Sequence, residues 1–193
     1  RSGLPGRPPL NQHLLGKIGY HDESFRIPLV IRAPDADATR GRIEDAFTES
    51  VDIMPTLLDW LGAEVPRACD GRSLTPFLEG KTPANWRTEA HCEHDFRDIP
   101  NLVPETAFGL HSDDCNYAII RGERYKYVHF AAMPPLLFDM AGDPGETRNL
   151  AGDPAHRDIV LEYAQKMLSW RLRHADRTLT GMHLTSKGVV SRR

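Results

Sequence analysis

The sequence predicts an α/β chain in two parts: the edge of a larger sheet, then a small antiparallel sheet packed on one long C-terminal helix. Three observations carry this. "RIPLVIRAP" is a nearly continuous apolar run bounded by prolines, the pattern of a strand covered on both faces. "YAIIRGERYKYVHF" holds two β-rich runs around Gly122-Glu123, the pattern of a hairpin. "DPAHRDIVLEYAQKMLSWRLRHAD" repeats Ile159, Tyr163, Met167 and Trp170 at helical spacing.

Taken in order, "RSGLPGRPPLNQ" has three prolines, two glycines and little to bury, so residues 1–12 are expected to be irregular. The first strand is expected over Ile27–Arg32, followed by an exposed loop at "DADATRG". In "SVDIMPTLLDWLGA", Asp52 suits an N-cap, Pro55 a first turn and Gly62 a stop. Ile53, Leu57, Leu58 and Leu61 then define the buried face of that helix. Ser73–Leu78 reads as one or two further helical turns.

After Pro83 the pattern becomes β. "EAHCEHDF" alternates, Tyr117–Arg121 and Arg124–Phe130 pair about their turn, and Leu136–Met140 adds a strand before the turn at Asp143-Pro144-Gly145. Asp153 and Pro154 open the long helix, and the last 18 residues read as a polar, extended tail.

Composition narrows the function classes. The 193 residues carry 24 basic and 27 acidic side chains, a net charge of −3, which offers no general attraction to nucleic acid or an acidic membrane. No apolar run reaches the roughly 18 residues of a membrane span. Cys69, Cys92 and Cys115 are odd in number and far apart, which argues against a disulfide framework and for a reducing cytoplasm. No fixed-period repeat occurs, and neither a G-x-S-x-G elbow, a Walker A loop nor a dinucleotide fingerprint is present.

Three stretches could carry chemistry. Lys17, in the Gly-flanked turn "LLGKIGY", could set an ammonium against an anionic group, although most lysines are solvated surface charges. "HCEH" holds four possible metal ligands, but on a strand His91 and Glu93 face one way, Cys92 and His94 the other. The bland reading, a half-buried strand, is favoured. "DPGETRNL" lacks the alternating ligands of a calcium loop and is better explained as turn chemistry; Ser112-Asp113-Asp114 reads as a plain loop.

Together these segments resemble the C-terminal part of the sulfatases of the alkaline-phosphatase superfamily, nearest their phosphonate monoester hydrolase branch. The resemblance rests on "HLLGKIGYHDESFRIPLVIRAP", "DAFTESVDIMPTLLDWLG", "CDGRSLTPFLEG", "ERYKYVHF", "LLFDMAGDPGETRNLA" and "LSWRLRHADRTLTGM". It implies an alkaline-phosphatase-like fold, here partial: a non-family prefix over 1–12, a remnant of the α/β core over 13–82, the sheet-and-helix subdomain over 83–174, and the tail over 175–193. It also implies hydrolysis of phosphate, phosphonate or sulfate esters by the complete enzyme, with a divalent metal ion and a formylglycine made from the Cys of a C-x-P-x-R motif. Lys17 matches the family lysine that faces the phosphoryl or sulfuryl oxygens.

The departures are specific. Cys69 is followed by "DGRS", Cys92 by "EHDF" and Cys115 by "NYAI", so no C-x-P-x-R occurs. Counting back from Lys17, the family's D-H-G-E metal ligands fall on Leu4 and Pro5, and its later G-D-H on Leu10, Asn11 and Gln12. Neither Leu nor Pro can ligate a hard cation. The expectation is therefore a fragment that holds no metal or other cofactor itself and is inactive alone, with a small ester as substrate only in the complete enzyme. The alternative is a non-catalytic binding module, oligomerising through the C-terminal helix and tail. A third reading is an independent metalloprotein built on "HCEH". No nucleic-acid or membrane partner is expected.

Overall fold

The computed structural model describes residues 19–33, 39–174 and 182–191. Its regular elements are, in chain order, α1 (Asp22–Phe25), α2 (Ile53–Trp60), α3 (Thr75–Leu78), β1 (Glu89–Asp95), α4 (Val103–Phe108), β2 (Asn116–Gly122), β3 (Tyr125–Phe130), β4 (Leu136–Asp139), α5 (Arg157–His174), β5 (Met182–Thr185) and β6 (Gly188–Ser191). Strands β1 to β4 form one antiparallel meander in sequence order.

The register explains why β2 is apolar without alternation. Ile119 lies opposite Val128 and Ile120 opposite Tyr127, so successive residues serve opposite faces. Tyr117, Ile119, Val128, Phe130 and Phe138 build one core with Tyr20, Phe96 and Cys115. Ala118, Ile120, Tyr127 and Leu137 build the other with Leu150, Tyr163 and Met167. Helix α5 thus covers one face, while the segment containing Tyr20 and Phe25 covers the other. Both faces are dry, as the unbroken apolar strand requires.

Helix α5 forms where its sequence says. The Asp153 carboxylate accepts from the Ala155 amide, and a 3₁₀ turn over Pro154–His156 leads into the helix. Tyr163 and Met167, four residues apart, are its buried contacts, and Arg171, Arg173 and His174 complement its C-terminal dipole.

Three expectations require correction. Ile27–Arg32 forms no strand: among the described residues, 27–33 make no ladder and no hydrogen bond, and Val30 is 91% exposed. A strand exists only with a neighbour, and no neighbouring strand lies within the described chain. The apolar face of α2 is also not buried. Ile53, Leu57 and Leu61 are exposed, while Pro55 and Thr56 point inward, because Thr56 bonds the Asp52 carbonyl and the Leu74 amide. The tail, finally, is not simply extended: β5 and β6 pair as a hairpin, closed where Gly188 takes φ 98°. Residues 1–12 lie outside the described residues.

A second cluster holds α2 and α3 to the sheet. Asp52 is fully buried and does not cap α2 as its position suggested. Its carboxylate instead accepts from the Glu49 amide, the Arg72 amide and the Arg87 guanidinium. Arg87 in turn lies over the Trp86 ring, which meets Phe77 edge-on. Gly71 makes this approach possible, since a Cβ there would run into the Val51 carbonyl and the Asp52 amide. Gly71→Ala is expected to destabilise by about 2–3 kcal/mol, the upper range for overpacking, because backbone rather than a mobile side chain is struck. A denaturant midpoint equal to that of the parent would contradict this.

Candidate functional site

Lys17 lies outside the described residues. The described chain begins at Gly19. Tyr20 is buried against Phe130 and Phe138, His21 stacks on Tyr20, and the one-turn α1 begins at Asp22.

Beneath α1 sits a buried charge network. Lys126 on β3 is 1% exposed, and its ammonium donates to Asp22 Oδ1 at 2.8 Å and Glu146 Oε2 at 2.7 Å. Glu146 Oε1 accepts from the Asp22 amide at 2.7 Å, and Asp22 Oδ2 accepts from Arg121 Nε at 3.1 Å. Two basic side chains therefore meet two carboxylates, so that neither buried member, Lys126 or Glu146, is left without a partner.

The loop after β4 is shaped to deliver Glu146. Asp139 accepts from the Ala141 and Gly142 amides, and Asp143 accepts from the Thr147 hydroxyl and the Arg148 amide. Glu146 itself takes a left-handed φ of 53°, uncommon for a residue with a side chain. The calcium-like look of "DPGETRNL" is thus turn chemistry, as expected, with one buried carboxylate that the sequence reading missed.

Burial alone would raise the Asp22 carboxyl, but Lys126 and Arg121 more than offset it and hold it below the usual carboxylate range. Burial, with the Glu146 charge, pushes the Tyr20 phenol up.

Among the described residues, one trio of metal-ligating side chains converges: His21, Glu23 and Glu146, with ligand atoms within 4.8 Å. These residues do not fit a divalent ion. Both Glu146 oxygens are already engaged, and a cation there would face the Lys126 ammonium in a poorly screened interior.

"HCEH" behaves as its strand parity dictates. On the α5 side His91 stacks on Trp170 at 4.5 Å, and Arg171 approaches Glu93 at 3.4 Å. On the opposite side Cys92 packs with the first core and His94 meets Tyr117. The four side chains do not converge, so the independent metal reading loses its geometry. Neither Cys92 nor Cys115 is poised as a nucleophile. Burial, reinforced by Glu49, pushes the Cys92 thiol up to about 11, and burial also raises Cys115. Along α5, an open groove of about 790 Å³ is lined by Glu93, His129, Met167, Trp170 and Arg171, with no nucleophile–base pair. The Ser112–Asp114 loop is a single 3₁₀ turn.

This four-stranded antiparallel sheet with its helices matches the fold of alkaline-phosphatase-like hydrolases among solved structures. Residues 13–173 match the family described as N-sulphoglucosamine sulphohydrolase, C-terminal, and the chain belongs to that family. It is 57% identical over 182 residues to the multifunctional alkaline phosphatase superfamily protein PehA of Trinickia caryophylli, covering 94% of this chain and 35% of that protein. The phosphonate monoester hydrolase of Silicibacter pomeroyi superposes with a TM-score of 0.83 and 41% identity over 92% of this chain and 35% of its own. That of Agrobacterium radiobacter gives 0.71 and 52% over 79% and 30%. The chain spans about a third of the length of these relatives.

Two outcomes are expected of the network. Lys126→Met leaves Glu146 buried without its cation and should cost about 3–5 kcal/mol in a denaturant titration; a loss below about 1 kcal/mol would contradict it. Because the Asp22 carboxyl is depressed in the fold, its stabilisation is complete above the unfolded-state value and is lost as pH falls through the lowered one. Asp22→Asn should therefore flatten the acid limb of the stability curve, measured by thermal melts across pH 2–6; a parallel acid limb would refute this.

Proposed function

We propose that this chain is the C-terminal third of a metal-dependent hydrolase of phosphate, phosphonate or sulfate esters. In this reading Lys17 contacts the anionic ester oxygens, while the nucleophile and metal ligands belong to the part of the family fold that the chain does not span. The observation that carries it is the superposition on phosphonate monoester hydrolases, which covers nearly all of this chain and about a third of theirs.

The exposed apolar surface supports it independently. Ile27, Leu29 and Val30, with Ile53 and Leu57 of α2 and Leu61 just after it, are strongly apolar yet uncovered. Such surface is what the remaining two thirds of the fold would bury. The metal, when bound by that part, would polarise the ester oxygens. From this chain a lysine beside them would oppose charge developing in the transition state, at no cost of reorganisation once it is held in place. Alone, the chain supplies neither nucleophile nor metal ligands and is read as inactive. Among the described residues no helix is long and apolar enough to cross a membrane. The three free thiols fit a reducing compartment, the cytoplasm.

A second role is favoured by α5. Leu161 and Leu168 are exposed seven residues apart on its outer side, beside the groove at Trp170. This stripe suits self-association through the C-terminal helix and hairpin.

The test is complementation. The chain is co-expressed with the N-terminal remainder of its Trinickia caryophylli relative and assayed on aryl phosphonate, phosphate and sulfate esters. Hydrolysis is expected only from the pair, abolished by a chelator and by Lys17→Ala. Turnover by the chain alone, or full activity in the Lys17→Ala pair, would overturn the proposal.

A further inference from the structure

We propose that His91 is a proton-operated latch: carrying both ring protons, it bridges Glu49, ahead of α2, and Glu89, on β1, and holds the end of α5 to β1 through Trp170. The proposal goes beyond the ester-hydrolase reading and does not depend on it.

His91 lies on the α5 side of β1, with its side chain 8% exposed. Acids flank both edges of its ring: Nδ1 is 4.0 Å from Glu49 Oε1, and Nε2 is 3.5 Å from Glu89 Oε1. The flat of the ring lies on Trp170, 4.5 Å away and within 7° of parallel. Nε2 is buried and, among the described residues, makes no hydrogen bond.

A neutral imidazole has one N–H and one lone pair. Whichever tautomer forms here, the lone pair confronts a carboxylate. The imidazolium instead offers an N–H to each acid and a cation to the face of the indole. Closing the two gaps to hydrogen-bond length takes movements of about 1 Å or less. The second proton therefore replaces a repulsion with two charge-assisted contacts.

The surrounding charges favour this. Ahead of α2, Glu49 also accepts from the His91 amide at 2.6 Å and lies 3.4 Å from Arg87. On α5, Lys166 lies 3.7 Å from Glu89, Arg171 lies 3.4 Å from Glu93, and His174 stacks on Trp170 at 4.7 Å. The approach of His91 first of all, opposed by burial and reinforced by Lys166 and Arg173, holds the Glu89 carboxyl below its ordinary value. Glu89 thus stays an anion through the range in which histidines titrate, and the change of charge falls to the imidazole.

The mechanical consequence lies at the end of α5. Tyr163 and Met167 are its buried residues, so past Met167 the helix is tied to β1 through Trp170 and Arg171. With His91 protonated the last turn is held; as pH rises and the proton leaves, it loosens.

The test is hydrogen exchange of the full chain at about pH 5.5 and pH 8, corrected for the intrinsic pH dependence of exchange. Relative to amides 161–166, amides 169–174 are expected to be protected about tenfold more at the lower pH, the effect of one charge-assisted hydrogen bond at the low end of its range. His91→Phe keeps a ring on Trp170 without titrating and should remove the difference. His174→Gln removes the other imidazole stacked on Trp170 and should leave it intact. Glu89→Gln, on a partly exposed side chain, should at least halve it and keeps the test open should His91→Phe fail to fold. A parent chain equally protected at both pH values overturns the latch without recourse to any variant. So does a difference that survives His91→Phe, one that is undiminished in Glu89→Gln, or one that His174→Gln abolishes.

Discussion

An ammonium with no access to water must be neutralised where it stands, and Lys126 sets that condition for the rest of the molecule. Its two carboxylate partners come from opposite directions, Asp22 from the N-terminal segment and Glu146 from the loop after β4. Satisfying one buried charge therefore brings together three stretches of chain separated by about a hundred and by twenty residues. Arg121, the cross-strand neighbour of Lys126, completes the balance by holding the outer oxygen of Asp22. Apolar packing could have closed this face of the sheet more cheaply. What ions add is direction, because the Asp22 amide and carboxylate at the start of α1 are both engaged by the network.

The same sheet shows how one strand can be apolar throughout without being a membrane segment or an aggregation site. On β2, Tyr117 and Ile119 point to the side closed by Tyr20 and Phe25, and Ala118 and Ile120 to the side closed by Tyr163 and Met167. Elsewhere the apolar pattern has no such closure. The outward leucines of α2 and the Ile27–Val30 stretch carry the sequence signature of a core and the exposure of a surface. The contradiction resolves if these residues were selected in a larger fold, which is consistent with a chain that spans about a third of its relatives.

Legibility in the sequence followed the range of the interaction. Local signals were readable: the β2–β3 hairpin, though its turn falls one residue later than expected, at Glu123-Arg124, with Gly122 inside β2, the Asp153-Pro154 entry to α5, its Tyr163–Met167 face, and the opposed sides of His91 and Cys92. Signals that depend on a partner were not. Ile27–Arg32 reads as a strand because its residues would suit one, but no ladder forms without a neighbour. Asp52 looks like a cap because it precedes a helix, yet Arg87, 35 residues away, claims its carboxylate. Glu146 hid inside a turn motif that was otherwise correctly explained. The signal that could have exposed it is Lys126, a charged residue flanked by Tyr125 and Tyr127 on a strand with both faces covered, which demands a buried acid from somewhere. The β5–β6 hairpin was missed because its strands are only four residues each and lie in an otherwise polar tail, leaving Gly188 as the main clue.

The most direct test of this account is residue-resolved hydrogen exchange on the parent chain and on Lys126→Met under native conditions. If the buried ammonium holds α1 on the sheet, amides of residues 19–26 lose more protection in the variant than those of β2, β3 and α5, which fall only by the global loss of stability. Unchanged protection at 19–26, or a loss there no greater than in β2, β3 and α5, would contradict it.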